Sequence, residues 1–246
     1  MNIYWLLVLL STIVAFLLYM RLKTAKYIQF SFLETMYVIF PVFVFSYIGG
    51  RLDVIIHHNI LIEHIFNIRQ LVKIFFLESG YGNPLGYTCS ILALFIVSKE
   101  FLSVDKFLHA IDKFILLASF ICIFGNLGCF IDGHAVCRGI PTSMPWGCMY
   151  NFTKYPSNTP LHPIKLYYTV WFTICFVISL FSKRIITGNL YVIIMIATQI
   201  FFFFLDFIRV EAYEIYFLTI RQVIYIVNCF FVFLFYCVII RKLQLS

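Results

Sequence analysis

The residues best equipped for chemistry lie between Gly125 and Tyr167, where a long apolar stretch gives way to the chain's densest cluster of polar, glycine and proline positions. In order these are Gly125-Asn126, Gly128-Cys129-Phe130-Ile131-Asp132-Gly133-His134, Cys137-Arg138, Pro145-Trp146-Gly147, His162-Pro163 and Leu166-Tyr167. His134 brings an imidazole, a group that exchanges protons near neutrality. Asp132 brings a carboxylate, Arg138 a guanidinium, Tyr167 a phenol, and Cys129, Cys137 and Cys148 three thiols. A thiol here has the makings of a covalent nucleophile. No base is paired with Cys129 by spacing, however, and a buried cysteine more often fills space. Polar, non-helical backbone at membrane depth survives only where protein buries it or it lines a wet cavity. A membrane-embedded reaction site or a substrate passage follows from that constraint.

The elements that must position this cluster are apolar helices. Charged residues make up 12% of the 246-residue chain against roughly a quarter in soluble domains, which marks an integral membrane protein. Apolar runs at 3–20, 32–50, 85–98, 107–131, 164–181, 190–208 and 223–240 predict about seven transmembrane helices. The third run is short, so the count is six or seven. The expected fold is all-α, a single integral membrane domain over 1–246 with a polar extracytoplasmic segment between spans four and five. The first run lacks a basic start and a small-residue cleavage site, so it reads as an uncleaved span.

Basic residues in short loops resist translocation. Arg21, Lys23 and Lys26, then Lys99 and Lys106, Lys183 and Arg184, and Arg241 and Lys242 fall on one face of a seven-span chain. That face is the cytoplasmic one, with the amino terminus outside and the carboxyl terminus inside. The other face still carries Arg51, Arg69, Lys73, Arg138, Lys154, Lys165, Arg209 and Arg221, cations suited to anionic lipid head groups. The net charge of +7 therefore points to membrane partners, and no nucleic-acid module is present.

Two interruptions are long enough for local structure, 53–82 and 132–163. The first spaces His57, His58, Glu63, His64 and Arg69 as on an interfacial helix, a commoner use of such histidines than metal binding. In the second, a disulfide among Cys129, Cys137 and Cys148 is feasible outside the cytoplasm, but sequence does not choose the pair. These thiols with His134 lack the compact spacing of a zinc site, so neither metal nor cofactor is expected.

The order of these motifs resembles the prolipoprotein diacylglyceryl transferase family. Its central Gly-Arg-x-Gly-Asn-Phe-Ile-Asn-x-Glu-x-x-Gly signature has counterparts from Gly125 to Cys137, followed by Pro145-Trp146-Gly147 and then His162-Pro163 with Leu166-Tyr167. Gly49-Gly50-Arg51, Asp112, Asp206-Phe207-Ile208-Arg209 and Gln222 match further pieces in the same order. Departures accompany the match. Asn126 and Phe202 stand where the family has arginines, Cys129 where it has asparagine, His134 where it has glutamate, and the histidine of a Gly-rich loop has no counterpart at 80–86.

The resemblance implies transfer of the diacylglyceryl group of phosphatidylglycerol to the cysteine thiol of a lipoprotein signal peptide, in the bacterial cytoplasmic membrane. That reaction requires donors or cations for the phosphate, a group that promotes the thiolate, and a lateral opening for lipid. On this basis His134, Tyr167 and Arg138 are the expected catalytic residues. Arg51, Asn126, Asp132, Gly133, His162, Asp206 and Arg209 are expected to bind substrate. Competing roles stand beside them: interfacial anchoring for the arginines, an Asp206 partner for Arg209, an aromatic-belt position for Tyr167, and loop support for His162. A relative acting on another lipid or acceptor, and a noncatalytic lipid-binding or transport protein, remain alternatives.

Overall fold

The computed structural model describes residues 3–24, 32–57, 83–98, 104–132, 138–149, 158–182, 189–209, 214–215 and 218–244. Helices account for most of them: α1 (Ile3–Thr24), α2 (Phe32–His57), α3 (Asn83–Ser98), α4 (Val104–Ile131), α5 (Ile164–Phe181), α6 (Asn189–Leu205) and α7 (Ile220–Gln244). Each contains one of the predicted apolar runs, except that the sixth run ends in a 3-10 turn, Asp206–Ile208. Among the described residues four stretches are long and apolar enough to cross a membrane: Ile111–Ile131, Ile164–Phe181, Asn189–Ile208 and Ile220–Val238. Shorter apolar helices occupy Leu6–Leu18, Phe40–Leu52 and Leu85–Val97, where the first three runs lie. The exposed surface is itself greasy, with Phe43 at 68% and Phe230 at 62% exposure, as expected of side chains that meet lipid.

The helices are joined by two small antiparallel ribbons that the all-α expectation omitted. β1 (Arg138–Pro141) pairs with β2 (Leu161–Pro163), and β3 (Glu214–Ile215) pairs with β4 (Leu218–Thr219). They form where the helical runs end, because backbone amides there need partners that a helix no longer supplies.

The contacts divide the chain into two units, Met1–Phe30 with Asp105–Ala212, and Ser31–Val104 with Tyr213–Ser246. In the first unit, α4 carries an aspartate near each end, and each one caps another helix. Asp112 Oδ1 accepts from the Tyr191 N–H in the first turn of α6 at 2.9 Å. Asp132 Oδ2, just past the end of α4, accepts from the Tyr4 N–H in the first turn of α1 at 2.9 Å. Both satisfy an orphan amide and set negative charge against a positive helix end. Beside the second cap the α1 and α4 backbones nearly touch, since a Cβ on Gly128 would lie 2.8 Å from Tyr4 Cα. Aromatic packing joins α5 to α6, with Trp171 stacked on Phe201 at 4.6 Å and its indole N–H donating to Thr198 Oγ1 at 3.0 Å.

In the second unit, Gly49 lets α2 approach α3, where a Cβ would meet the Leu85 carbonyl oxygen and the Cys89 side chain. Thr88 Oγ1 donates to Asn228 Oδ1 at 2.6 Å and ties α3 to α7. The start of α7 is a reciprocal capping box. Thr219 N–H donates to Gln222 Oε1 at 2.8 Å, and Gln222 N–H donates to Thr219 Oγ1 at 3.0 Å. Gln222, which entered by resemblance, thus has a local structural task.

Candidate active site

The polar segment of the first unit folds back against the start of α5. β1 and β2 pair with Arg138 opposite Pro163 and Pro141 opposite Leu161. Cys148 adds a bridge on Leu161, exchanging two backbone hydrogen bonds of 2.9 Å, and Gly139 bridges Arg209. A Cβ on Gly139 would lie 2.6 Å from both His162 Cβ and the Ile208 carbonyl oxygen, so only glycine fits this crossing. Pro145 and Trp146 form the corner of a β-turn that the Gly147 N–H closes on the Met144 carbonyl at 3.0 Å. Proline at the second turn position and glycine at the fourth suit that geometry.

The turn delivers Trp146 to Tyr167. The indole N–H donates to the Tyr167 hydroxyl oxygen at 2.8 Å, while His162 Nδ1 lies 2.8 Å from the same oxygen. Three motifs separate in sequence therefore meet at one phenol. Tyr167 sits in the first turns of α5, for which Pro163 is the N-cap residue, and is half-buried, whereas Trp146 is exposed. If Nδ1 carries the imidazole proton, the phenol accepts from both rings and its own hydrogen points elsewhere. In the other tautomer Tyr167 donates to His162. This bond ties β2 to the first turns of α5.

Arg209 follows the 3-10 turn and pairs with buried Asp206, Nη1 to Oδ1 3.8 Å. The Asp206 partnership foreseen for it is thus present. Asn126 Nδ2 donates to the Cys122 carbonyl one turn back in α4 at 2.8 Å, and Asp132 serves the α1 cap. Arg138 opens β1 by its backbone, and its side chain lies outside the described residues, as do Gly133, His134 and Cys137. Arg51, in the second unit, is buried, with its guanidinium carbon 5.2 Å from the Tyr47 ring centre. Cys129 is buried, and Cys148 is a free thiol. Burial pushes the Cys148 thiol above its ordinary range, and its sulfur donates weakly to the Trp146 carbonyl at 3.6 Å.

Sequence reasoning passed over two residues. Trp146 was noted only as part of a motif, and its bond to Tyr167 is a contact across 21 positions that spacing does not reveal. Lys165 is one of the cations assigned to the extracytoplasmic face, and it is 6% exposed with its ammonium 5.0 Å from the Tyr168 ring centre. A lone lysine in the first turn of an apolar helix was the available signal.

Apolar helices with a folded polar hairpin, and a phenol held between an indole and an imidazole, define a multi-pass membrane protein with a preorganised polar site. The chain belongs to the prolipoprotein diacylglyceryl transferase family, whose family model matches residues 1–239 of the 246. At family level this assigns transferase chemistry in lipoprotein biosynthesis, with lipoprotein precursor and phospholipid as substrates. No curated protein matches the chain.

Proposed function

We propose that this chain transfers the diacylglyceryl group of phosphatidylglycerol to the cysteine thiol of a lipoprotein signal peptide. It does so as a seven-span protein of the bacterial cytoplasmic membrane, with the amino terminus and polar segment outside and the carboxyl terminus in the cytoplasm. The observation that carries this reading is the Tyr167 cluster, since the hydroxyl that the family resemblance makes essential is oriented here by two ring nitrogens.

In the reaction a thiolate sulfur attacks the glyceryl carbon that bears the phosphoester oxygen. The C–S bond forms, that C–O bond breaks, and glycerol phosphate leaves with the electron pair. The thiol proton passes to a base, a role that suits the chemistry of His134. With His162 protonated at Nδ1, Tyr167 accepts two N–H bonds and turns its own proton toward a substrate oxygen. Accepting those bonds polarises the phenol and strengthens its donation. Arg138 and Arg209 are candidates for the leaving phosphate, and Arg51 is a separate candidate on the strength of its Gly-Gly-Arg match alone. Asn126, Asp132, Gly133, His162 and Asp206 shape the surroundings in this reading.

Purified protein incubated with phosphatidylglycerol and a signal peptide containing the acceptor cysteine tests the proposal. The reading requires a thioether-linked diacylglyceryl peptide by mass spectrometry, with one glycerol phosphate released per peptide. Glycerol phosphate without modified peptide, or neither product, contradicts it. Asparagine at 126 and phenylalanine at 202 in place of family arginines favour a second reading, a relative that acts on another lipid or acceptor or only binds lipid. Turnover of a different lipid, or binding without turnover, selects that reading.

A further inference from the structure

Lys165 occupies an environment that a lysine normally avoids. It lies in the first turn of the 18-residue helix α5, is 6% exposed, and has its ammonium over the Tyr168 ring. Among the described residues no carboxylate pairs with it. The same helix end has no acidic residue in its first turn and no side-chain cap on its amides. A buried cation beside the positive end of a helix is unfavourable on both counts. The aromatic face offsets part of that cost, and an anion would offset more.

Its neighbours give the anion a place in the reaction. The Tyr168 ring lies 4.4 Å from the Phe202 ring, and the Lys165 ammonium is within electrostatic range of Cys122, whose carbonyl holds the Asn126 amide. Asn126 and Phe202 are the positions at which the family resemblance expects arginines. The Tyr168 ring thus lies between the Lys165 ammonium and Phe202 on α6, and on α4 the charge of Lys165 acts on Cys122, one turn before Asn126. Tyr167, two residues along, carries the ordered hydroxyl.

We infer that Lys165 binds the anionic phosphate of the glycerophospholipid substrate, and so takes over on α5 the charge that Asn126 on α4 and Phe202 on α6 do not provide. The identity of the lipid rests on the transferase reading, whereas the phosphate site itself does not.

Full-length protein in phosphatidylcholine nanodiscs, titrated with short-chain phosphatidylglycerol, diacylglycerol and soluble glycerol phosphate, tests the inference. Wild type should prefer phosphatidylglycerol to diacylglycerol. Lys165→Met should weaken phosphatidylglycerol binding about tenfold or more, the size of one charge-assisted contact, and Lys165→Arg should stay within about threefold. Adding Asn126→Arg to Lys165→Met should restore binding, which a purely structural lysine would not allow. Unchanged phosphatidylglycerol binding by Lys165→Met overturns the inference. Soluble glycerol phosphate binding as tightly as the lipid overturns the assignment to a lipid head group.

If the Met variant cannot be purified, solid-state NMR on wild type decides. A dipolar contact between lipid phosphorus and the Lys165 side-chain nitrogen supports the site, and its absence in a lipid-bound sample rejects it. A parallel transfer assay separates the two ideas. Lys165-dependent binding without transfer keeps the phosphate site and removes the transferase reading, while undiminished transfer by Lys165→Met does the reverse.

Discussion

Arg209 and Lys165 belong to the same unit, and their surroundings differ in one decisive respect. Arg209 has buried Asp206 at 3.8 Å and a backbone bridge to Gly139, so its charge is tied into the junction of the hairpin with the end of α6. Lys165 has an aromatic ring and, among the described residues, no carboxylate. The contrast separates a cation with a carboxylate beside it from one that has only an aromatic face. Breaking a buried pair leaves an uncompensated charge, whereas removing a buried ammonium without a carboxylate leaves none.

Substitutions can break that contrast, beginning with the largest expected effect. Asp206→Asn should destabilise the protein by about 3 kcal/mol by removing the buried carboxylate beside Arg209, while Lys165→Met should leave thermal unfolding nearly unchanged and lower transfer instead. Equal loss of melting temperature in both variants would erase the distinction. The glycines that hold the scaffold sharpen it further. Gly128→Ala pushes a methyl into the Tyr4 backbone and should cost about 2 kcal/mol. Gly125→Ala, whose methyl would lie 3.7 Å from Val8 Cγ2, should stay within about 0.5 kcal/mol. Chemical denaturation of the two variants side by side checks this pair.

Smaller effects probe the hydroxyl cluster. Trp146→Phe keeps an aromatic ring but removes one donor to Tyr167, and should reduce kcat/KM about tenfold without lowering stability. An unchanged kcat/KM would show that the indole only packs. The smallest effect concerns Cys148. Because burial raises its thiol pKa, the reactive thiolate is scarcer at neutral pH, and alkylation should accelerate only at a pH above that of an exposed cysteine. Reaction at the rate of a free thiol at neutral pH would contradict that environment.

Much of the helical framework was legible because an uninterrupted apolar run has few other uses. The runs at 107–131, 164–181, 190–208 and 223–240 each overlap a stretch long and apolar enough to cross a membrane. The Tyr167 and His162 partnership was partly legible, since five residues separate them across the start of a helix. The long-range ties were not. Asp112 caps a helix 79 residues away and Asp132 one 128 residues away, and no local pattern announces either contact. The burial of Lys165 was hidden for a related reason. A charge count treats every lysine near a span's end as wet, and only the packing of Tyr168 and its neighbours shows this one to be buried.

The central claim is that the ordered Tyr167 hydroxyl serves a transfer reaction, and steady-state transfer by wild type and Tyr167→Phe tests it most directly. With phosphatidylglycerol and signal peptide supplied, wild type should form the thioether product, and the Phe variant should lose about a hundredfold in kcat while retaining its fold and lipid binding. Wild-type turnover by Tyr167→Phe would contradict the account.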